Sequence, residues 1–523
     1  MANNVNHSSE QFFLKALNSE KKNDWQSAIF FYKSALKLRP NYSEAHHNLA
    51  IALRNVGQKA DALTSALFAA KLAPTNPVIK FSLGVSLEQV GKTTEAISVY
   101  KNVIKLRPNY IAALSNLGRL LELQGCSIEA INLLKLALKK EPKSIEATIN
   151  LANCYLSVGE PQKTIELLLS LFKKNKSIQV ETQAIVLNSL GVASYILDSI
   201  NKAATYFKKA IIKSPHFAEA HENLAQTLFF LDQYENGWAE YEWRWKNQSN
   251  AQSKINLTGT PWNGEQLNNK TLLIYAEQGF GDVIQFSRFL GMLNIRKDDL
   301  ILACQPSLVN LLSTLSCIDR VININEKLPA YDRHVPLLSL PRLLNISKKN
   351  IPNSPYLSVK PNNSLGRKAG LKVGITWAGM PRHQSDPYRN RSCPIETFGP
   401  LLSITGINLF SLQTGSEKNA LKKINSASSV TDLSHYIQSF EDTAVLIAEL
   451  DLVITIDTAV AHLAGSLGKM VWVLLAKSSD WRWNTKHKEN IWYPTARLYK
   501  QESPGDWSGP INEIMRDLKK LIP

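Results

Sequence analysis

The chain has 523 residues, a formal charge of +16, 44% hydrophobic and 20% charged residues, which excludes collagen-like, mucin-like and wholly disordered chains and leaves room for about two to four domains. No apolar run reaches the ~18–20 residues of a membrane helix, the first residues carry no basic-then-apolar secretory start, and five sparse cysteines offer neither a disulfide framework nor a structural zinc site. The expectation is a cytoplasmic protein. Its positive charge, shared equally by the two halves, suits anionic ligands or peripheral contact with the inner membrane, and no nucleic-acid motif accompanies it.

Residues 8–246 read as a repeat array. Pro40, Pro74, Pro108 and Pro142 stand 34 residues apart. Small residues keep the same step at Ala16, Ala50, Gly84, Gly118 and Ala152, then continue at Gly191 and Ala225 after a five-residue insertion. A third marker lies twelve residues behind these, at Ala28, Ala62, Ala96, Ala130, Thr164, Ala203 and Gly237, with Gly57, Gly91, Gly125 and Gly159 between. Two helices of about a dozen residues, a turn and a Pro-marked junction fill ~34 residues. Small residues let paired helices approach, Gly ends the first helix in a left-handed turn, and Pro stops the second. The pattern resembles about seven tetratricopeptide repeats, an α-solenoid whose groove takes a protein or peptide. Asn48, Asn116, Asn150 and Asn223 have two readings: amides gripping a peptide in the groove, or bonds between helices. All but one of the 11 tryptophans lie from Trp238 onward. Trp243 and Trp245 are expected to cap the array, and 247–264 to be a linker.

Beyond residue 264 the period changes. Strands are predicted at Leu272–Tyr275, Leu300–Ala303, Val321–Ile324, Val373–Trp377, Leu409–Leu412, Leu452–Ile456 and Val471–Leu475, with helices after most of them, including Val283–Leu293, Thr443–Glu449 and Ala459–Leu467. Apolar strands alternating with helices imply parallel sheets covered on both faces. The polar stretch 353–368 divides them into lobes at 265–360 and 370–523, with the cleft between as the expected site.

Two motifs carry chemistry. Glu277-Gln-Gly-Phe-Gly281-Asp282 joins a strand to a helix, where backbone N–H groups favour an anion and Asp282 stands at the cap or first turn. Asp282 reads either as a plain helix cap or as a carboxylate at the mouth of the cleft. In Asp457-Thr458-Ala459-Val460-Ala-His462, a strand ends and a helix begins with a hydroxyl and leading N–H groups, a cradle for phosphate. His462 reads as a site residue or as a packing histidine. Neither motif is a GxGxxG fingerprint or a Walker loop.

These two motifs, with Trp377-Ala-Gly379, Arg389-Asn-Arg391-Ser, Ser411-Leu-Gln413, Asp480-Trp-Arg-Trp483 and Trp492-Tyr-Pro494, resemble family 9 glycosyltransferases, the heptosyltransferase family. They resemble more closely the bacterial tetratricopeptide proteins that carry such a domain. The resemblance implies an α/β GT-B-like domain of two Rossmann-type lobes and an inverting transfer from a nucleotide-diphosphate sugar, with neither metal nor cofactor. It implies Asp282 as general base, Gly281 beside the donor, Thr458, Ala459 and Val460 as diphosphate cradle, His462 as motif histidine, Arg391 or Arg389 as phosphate ligand, and Gln413 and Glu417 towards the nucleoside. A protein acceptor fits the fused repeats, and a saccharide or lipid-linked acceptor fits the charge. The alternative is a non-catalytic repeat scaffold with a degenerate transferase domain. Trp481, Trp483, Trp492 and Tyr493 have two readings, a stacking platform for a ring or an inter-lobe rim.

Overall fold

The computed structural model describes residues 2–175, 177–246, 255, 257–366, 369–379, 391–423, 429–487 and 489–522. The chain forms two compact units, Met1–Ile178 and Gln179–Pro523.

The first unit holds five helix pairs: Ala2–Lys21 with Trp25–Leu38, Ser43–Asn55 with Lys59–Leu72, Pro77–Gln89 with Thr93–Leu106, Ile111–Leu123 with Ser127–Lys140, and Ile145–Ser157 with Pro161–Lys174. The small-residue markers are contact points between paired helices. A Cβ on Gly84 would run into the Tyr100 ring, and one on Gly118 would lie 2.7 Å from Leu134 Cγ. Gly57, Gly91, Gly125 and Gly159 sit at the inner turns with φ between +77° and +83°. Side-chain amides join neighbouring helices here. Asn116 Nδ2 donates to the Tyr100 hydroxyl at 3.1 Å and Asn150 Nδ2 to the Ser115 carbonyl at 3.3 Å.

The second unit begins with two more pairs, Val180–Ile196 with Ile200–Lys213 and Ala218–Phe230 with Tyr234–Tyr241. Their inner turns use Asp198 and Asp232 in the left-handed conformation instead of Gly. Both carboxylates reach the α/β region, Asp198 to Lys500 at 3.2 Å and Asp232 to Lys348 at 2.9 Å. The compact boundary at 178 therefore differs from the array boundary at 246 read in the sequence. Aromatic packing supplies the reason. Phe229 lies 4.4 Å from Trp481 and Trp238 5.8 Å from Phe286, ring to ring, while the Trp238 indole N–H donates to the Ile346 carbonyl at 3.0 Å. Trp243 stacks on His221 at 3.8 Å and Trp245 sits edge-on to Tyr275, so both close the array as expected.

The α/β region contains two parallel sheets. The first comprises β1 (Thr260–Pro261), β2 (Leu272–Tyr275), β3 (Leu300–Cys304), β4 (Arg320–Asn323) and β5 (Arg333–Pro336), in the order β1-β5-β2-β3-β4. The second comprises β6 (Leu371–Thr376), β7 (Ile407–Ser411), β8 (Val430–Asp432), β9 (Leu452–Ile456), β10 (Val471–Leu475) and β11 (Ala496–Lys500), in the order β11-β10-β9-β6-β7-β8. That second order is the doubly wound one, which reverses between β6 and β9 and opens a crevice at the carboxyl ends of those strands. Two segments read as linkers are built into the lobes. β1 pairs with β5 and Trp262 is buried, so the first lobe starts before residue 265. In the crossing segment Leu357 and Leu365 are buried, and the N–H groups of Tyr356 and Leu357 donate to the Ser466 carbonyl.

Gly84→Val tests the meaning of the small-residue markers. The Tyr100 ring is buried and its hydroxyl is held by Asn116 and Glu88, so it cannot step aside. Urea unfolding is expected to show a loss of about 1–3 kcal/mol; an unchanged midpoint would show that the marker has no packing role.

Candidate functional site

The two motifs meet. β2 ends at Tyr275, and after a short turn the helix Phe280–Phe286 begins with Gly279 as its N-cap. β9 ends at Ile456, and the helix Ala459–Ser466 follows with Thr458 as N-cap. These helices pack side by side. A Cβ on Gly281 would stand 2.9 Å from His462 Cδ2 and 3.5 Å from the Ala459 Cα, so glycine here permits the close approach of the two lobes.

Asp282 occupies the third position of its helix. Its Oδ2 accepts the Gly279 N–H at 3.2 Å and its Oδ1 accepts from Arg482 Nη2 at 2.6 Å. The carboxylate thus caps its own helix and also accepts a charged hydrogen bond from the other lobe. Arg482 is buried. It also donates to Gln285, and through Nη1 to Asp480 at 3.0 and 3.1 Å, while its guanidinium lies 4.3 Å over the Trp481 ring. The neighbouring Trp483 donates its indole N–H to Asp457 Oδ1 at 2.7 Å.

Asp457 directly follows β9, at the β6–β9 crevice. Burial, followed by the nearby Asp480 carboxylate, pushes it up to about 6, against Arg391, the Trp483 N–H and Arg482, which favour its ionised form. Arg391 follows the end of β6 by fifteen residues, and its guanidinium lies against Gly379, where a Cβ would fall 3.2 Å from Nη2. Arg389 lies outside the described residues. His462 is buried with Nδ1 3.0 Å from the Tyr493 hydroxyl; burial and then Arg482, Arg288 and Arg391 hold it well below the usual histidine range. Thr458 makes no side-chain cap and instead places its hydroxyl 3.1 Å from that of Thr455, so Ala459 and Val460, both half-buried, lead the helix.

Gln413 is bonded within the fold. Its Oε1 accepts the N–H groups of Trp377 and Ala378 at 3.2 and 3.0 Å, and its Nε2 donates to the carbonyls of Ala378 and Thr414. The amide is committed to holding the turn after β6. Glu417 is half-buried at the start of the 3-10 segment Ser416–Lys423. Trp481, Trp483, Trp492 and Tyr493 are all buried, so the segment takes the rim reading and packs the lobes together.

Three residues carry more of the site than their sequence context announced. Arg482 links the lobes. Arg288 is buried among the carbonyls of Gln285, Pro352 and Trp492, with its guanidinium 4.6 Å over the Tyr493 ring. Arg244, at the end of the last repeat, places a fork on Glu277 at 3.1 and 2.8 Å. A buried arginine leaves one sequence signal, its position inside an aromatic run, as in Trp481-Arg482-Trp483 and Trp243-Arg244-Trp245. Among the described residues no cluster of His, Cys, Asp and Glu has the arrangement to hold a metal, and no helix is long and apolar enough to cross a membrane. A cavity of about 430 Å³ beside Thr405 and Met515 lies apart from the two motifs, and one of about 220 Å³ beside Pro355 and Gly468 is lined in part by Gly465, on the helix that carries His462.

Comparison with known proteins bears on the repeats. A family described as TPR repeat matches residues 87–125, and one described as tetratricopeptide repeat matches 31–64. Together with the helix pairs, these matches show that the N-terminal region consists of tetratricopeptide repeats, modules of protein interaction. The chain is similar to protein FlbA of Caulobacter vibrioides, 26% identical over 328 residues, covering 56% of this chain and 54% of that protein. It thus spans about half the length of the curated relative it matches. Among solved structures, a tetratricopeptide repeat protein from Parabacteroides merdae is 18% identical with a TM-score of 0.41, covering 47% of this chain and 95% of that one. YrrB, described as a TPR protein with an unusual peptide-binding site, is 17% identical with a TM-score of 0.30, covering 36% and 95%.

The environment of Asp457 sets a pH dependence. Its folded pKa, about 6, lies above the ordinary 3.8, so the native state binds the proton more tightly. The stability this contributes is present at pH 4 and is lost as pH rises through about 6. Asp457→Asn should remove that loss, so its melting temperature falls less than that of the wild type between pH 4 and 7. Parallel curves would mean that Asp457 titrates normally.

Proposed function

We propose that the chain is a glycosyltransferase that moves a sugar from a nucleotide-diphosphate donor to a protein or saccharide acceptor, with the repeats recruiting the acceptor or a partner. The observation that carries this reading is the close packing of the helix that bears Asp282 against the helix led by Thr458, Ala459 and Val460, between two parallel sheets. The reading takes these sheets as the lobes of a GT-B-like fold.

Each group then has a task. The N–H groups of Ala459 and Val460, the Thr458 hydroxyl and the Arg391 guanidinium would receive the diphosphate at the helix N-terminus. Asp282 retains lone pairs on both oxygens beyond its bonds to Arg482 and Gly279. It would accept the proton of an acceptor hydroxyl as that oxygen attacks the anomeric carbon. The bond from that carbon to the diphosphate oxygen breaks, the configuration inverts, and the departing nucleoside diphosphate carries its charge towards Arg391. Positive side chains do the work that a metal does in other transferases.

A second reading has an observation of its own. Asp282, His462 and Gln413 each have a structural occupation in the fold. A binding scaffold that kept the fold and lost turnover would look the same at those residues.

A thermal-shift screen against UDP-, GDP-, ADP-, CMP- and dTDP-sugars in EDTA separates the two. The transferase reading expects one nucleotide class to raise the melting temperature, as ligands of the native state do. It expects Asp282→Asn to keep that shift and lose transfer, and Arg391→Ala to weaken the shift. No shift with any nucleotide would favour the scaffold, and full turnover by Asp282→Asn would remove Asp282 as the base.

A further inference from the structure

We propose that Arg244 and Tyr241, from the end of the last repeat, are positioning residues for the loop that carries Asp282, so that this repeat is a working part of the transferase unit and not a detachable recruiting arm. The consequence for turnover rests on the transferase reading; the positioning itself does not.

The loop between β2 and the helix Phe280–Phe286 has an unusual backbone. Gln278 has φ +62°, the left-handed conformation that a side chain disfavours, and it immediately precedes the N-cap Gly279. Strain of this kind persists only where the surroundings over-determine it. Here they do. The Tyr241 hydroxyl donates to Gln278 Oε1 at 3.2 Å, and Gln305 Nε2 donates to the Gln278 carbonyl at 3.0 Å. One residue earlier, Glu277 is buried, and its two oxygens receive the Arg244 Nε at 3.1 Å and Nη2 at 2.8 Å. The Leu338 N–H, just past β5, adds a third bond at 3.2 Å. One residue later, the Gly279 N–H meets Asp282.

The location sharpens the point. The first sheet's strand order reverses between β2 and β5, and that reversal is where an open α/β sheet presents a crevice. Here the crevice receives Arg244, which is 1% exposed and also donates to Ser339 Oγ at 2.8 Å, to Glu242 at 2.8 Å and to the Tyr241 carbonyl at 3.1 Å. The place where a ligand commonly enters such a sheet is thus filled by the chain's own repeat. Three successive residues, from the Arg244 fork on Glu277 through Gln278 to the Gly279 bond with Asp282, pass the constraint to the carboxylate.

A buried ion pair could be structural glue alone, and the test separates the two roles. In the full chain, Tyr241→Phe removes one hydrogen bond, and the double variant Arg244→Met with Glu277→Leu replaces the buried pair by apolar groups, a change that cores often tolerate. Arg244→Met alone leaves Glu277 unpaired and is read only if it folds. Amide hydrogen exchange of peptides spanning residues 276–286 is followed beside the melting temperature. Positioning predicts melting temperatures within a few degrees of the wild type, with loop exchange faster by about tenfold or more in both variants. If the double variant, with its melting temperature retained, protects the loop as well as the wild type does, the pair only neutralises charge and the proposal fails. Unchanged loop exchange in Tyr241→Phe removes Tyr241 from it. Exchange needs no donor, so fast loops in the variants of a chain whose wild type transfers nothing sink the transferase reading and leave the positioning standing. A slow loop in an active double variant does the reverse.

Discussion

A guanidinium withdrawn from water must find acceptors for its donors, and the site is arranged around one that does. Arg482 is buried, and its acceptors come from separate parts of the fold: Asp282 and Gln285 on the first lobe's leading helix, and Asp480 on its own segment. Removing one partner from such a group typically costs about 3–5 kcal/mol, because the charge left behind stays unsolvated. The lobes are therefore held in one arrangement by a polar contact at the point where the two motifs meet. Glycine at 281 permits the approach, and the tryptophans on either side of Arg482 exclude water from it.

The same device recurs at the repeats. Arg244 stands between Trp243 and Trp245 as Arg482 stands between Trp481 and Trp483, and each is a buried cation holding an acidic residue near the loop after β2. The aromatic cluster of Phe229, Trp238, Trp481 and Trp492 fills the space around them. Such clusters supply most of the apolar burial, while the forked arginines fix orientation. This explains why the last two repeats belong to one compact unit with the α/β region, although their sequence period is that of the rest of the array.

Much of the fold was legible because period is a local property. The 34-residue step names the helix pairs, and β2, β9 and β10 are strands to the residue, since each is a short apolar run buried on both faces. β5 and β11 escaped notice for a physical reason. Arg333-His-Val-Pro336 and Ala496-Arg-Leu-Tyr-Lys500 carry polar residues whose ends reach solvent or ion pairs, so their apolar signal is weak. The helix Ser508–Leu518 has no counterpart among the predicted elements. At the site, Asp282, Thr458 and His462 stand in motifs and come together, whereas the bonds of the Gln413 amide to the turn after β6 leave no sequence signal, because nothing in a sequence says which way an amide points. Arg482 was invisible as a partner of Asp282, because the 200 residues between them are bridged only by the fold.

The account depends on the two motifs forming a single site joined by Arg482, and a double-mutant cycle addresses that without any substrate. Asp282→Asn, Arg482→Met and the combined variant would be unfolded in urea. A direct buried pair predicts a coupling energy of about 1.5 kcal/mol or more, within the range that contacting residues show. Additive losses, with a coupling near zero, would mean that Asp282 and Arg482 do not meet and that the site as described does not exist.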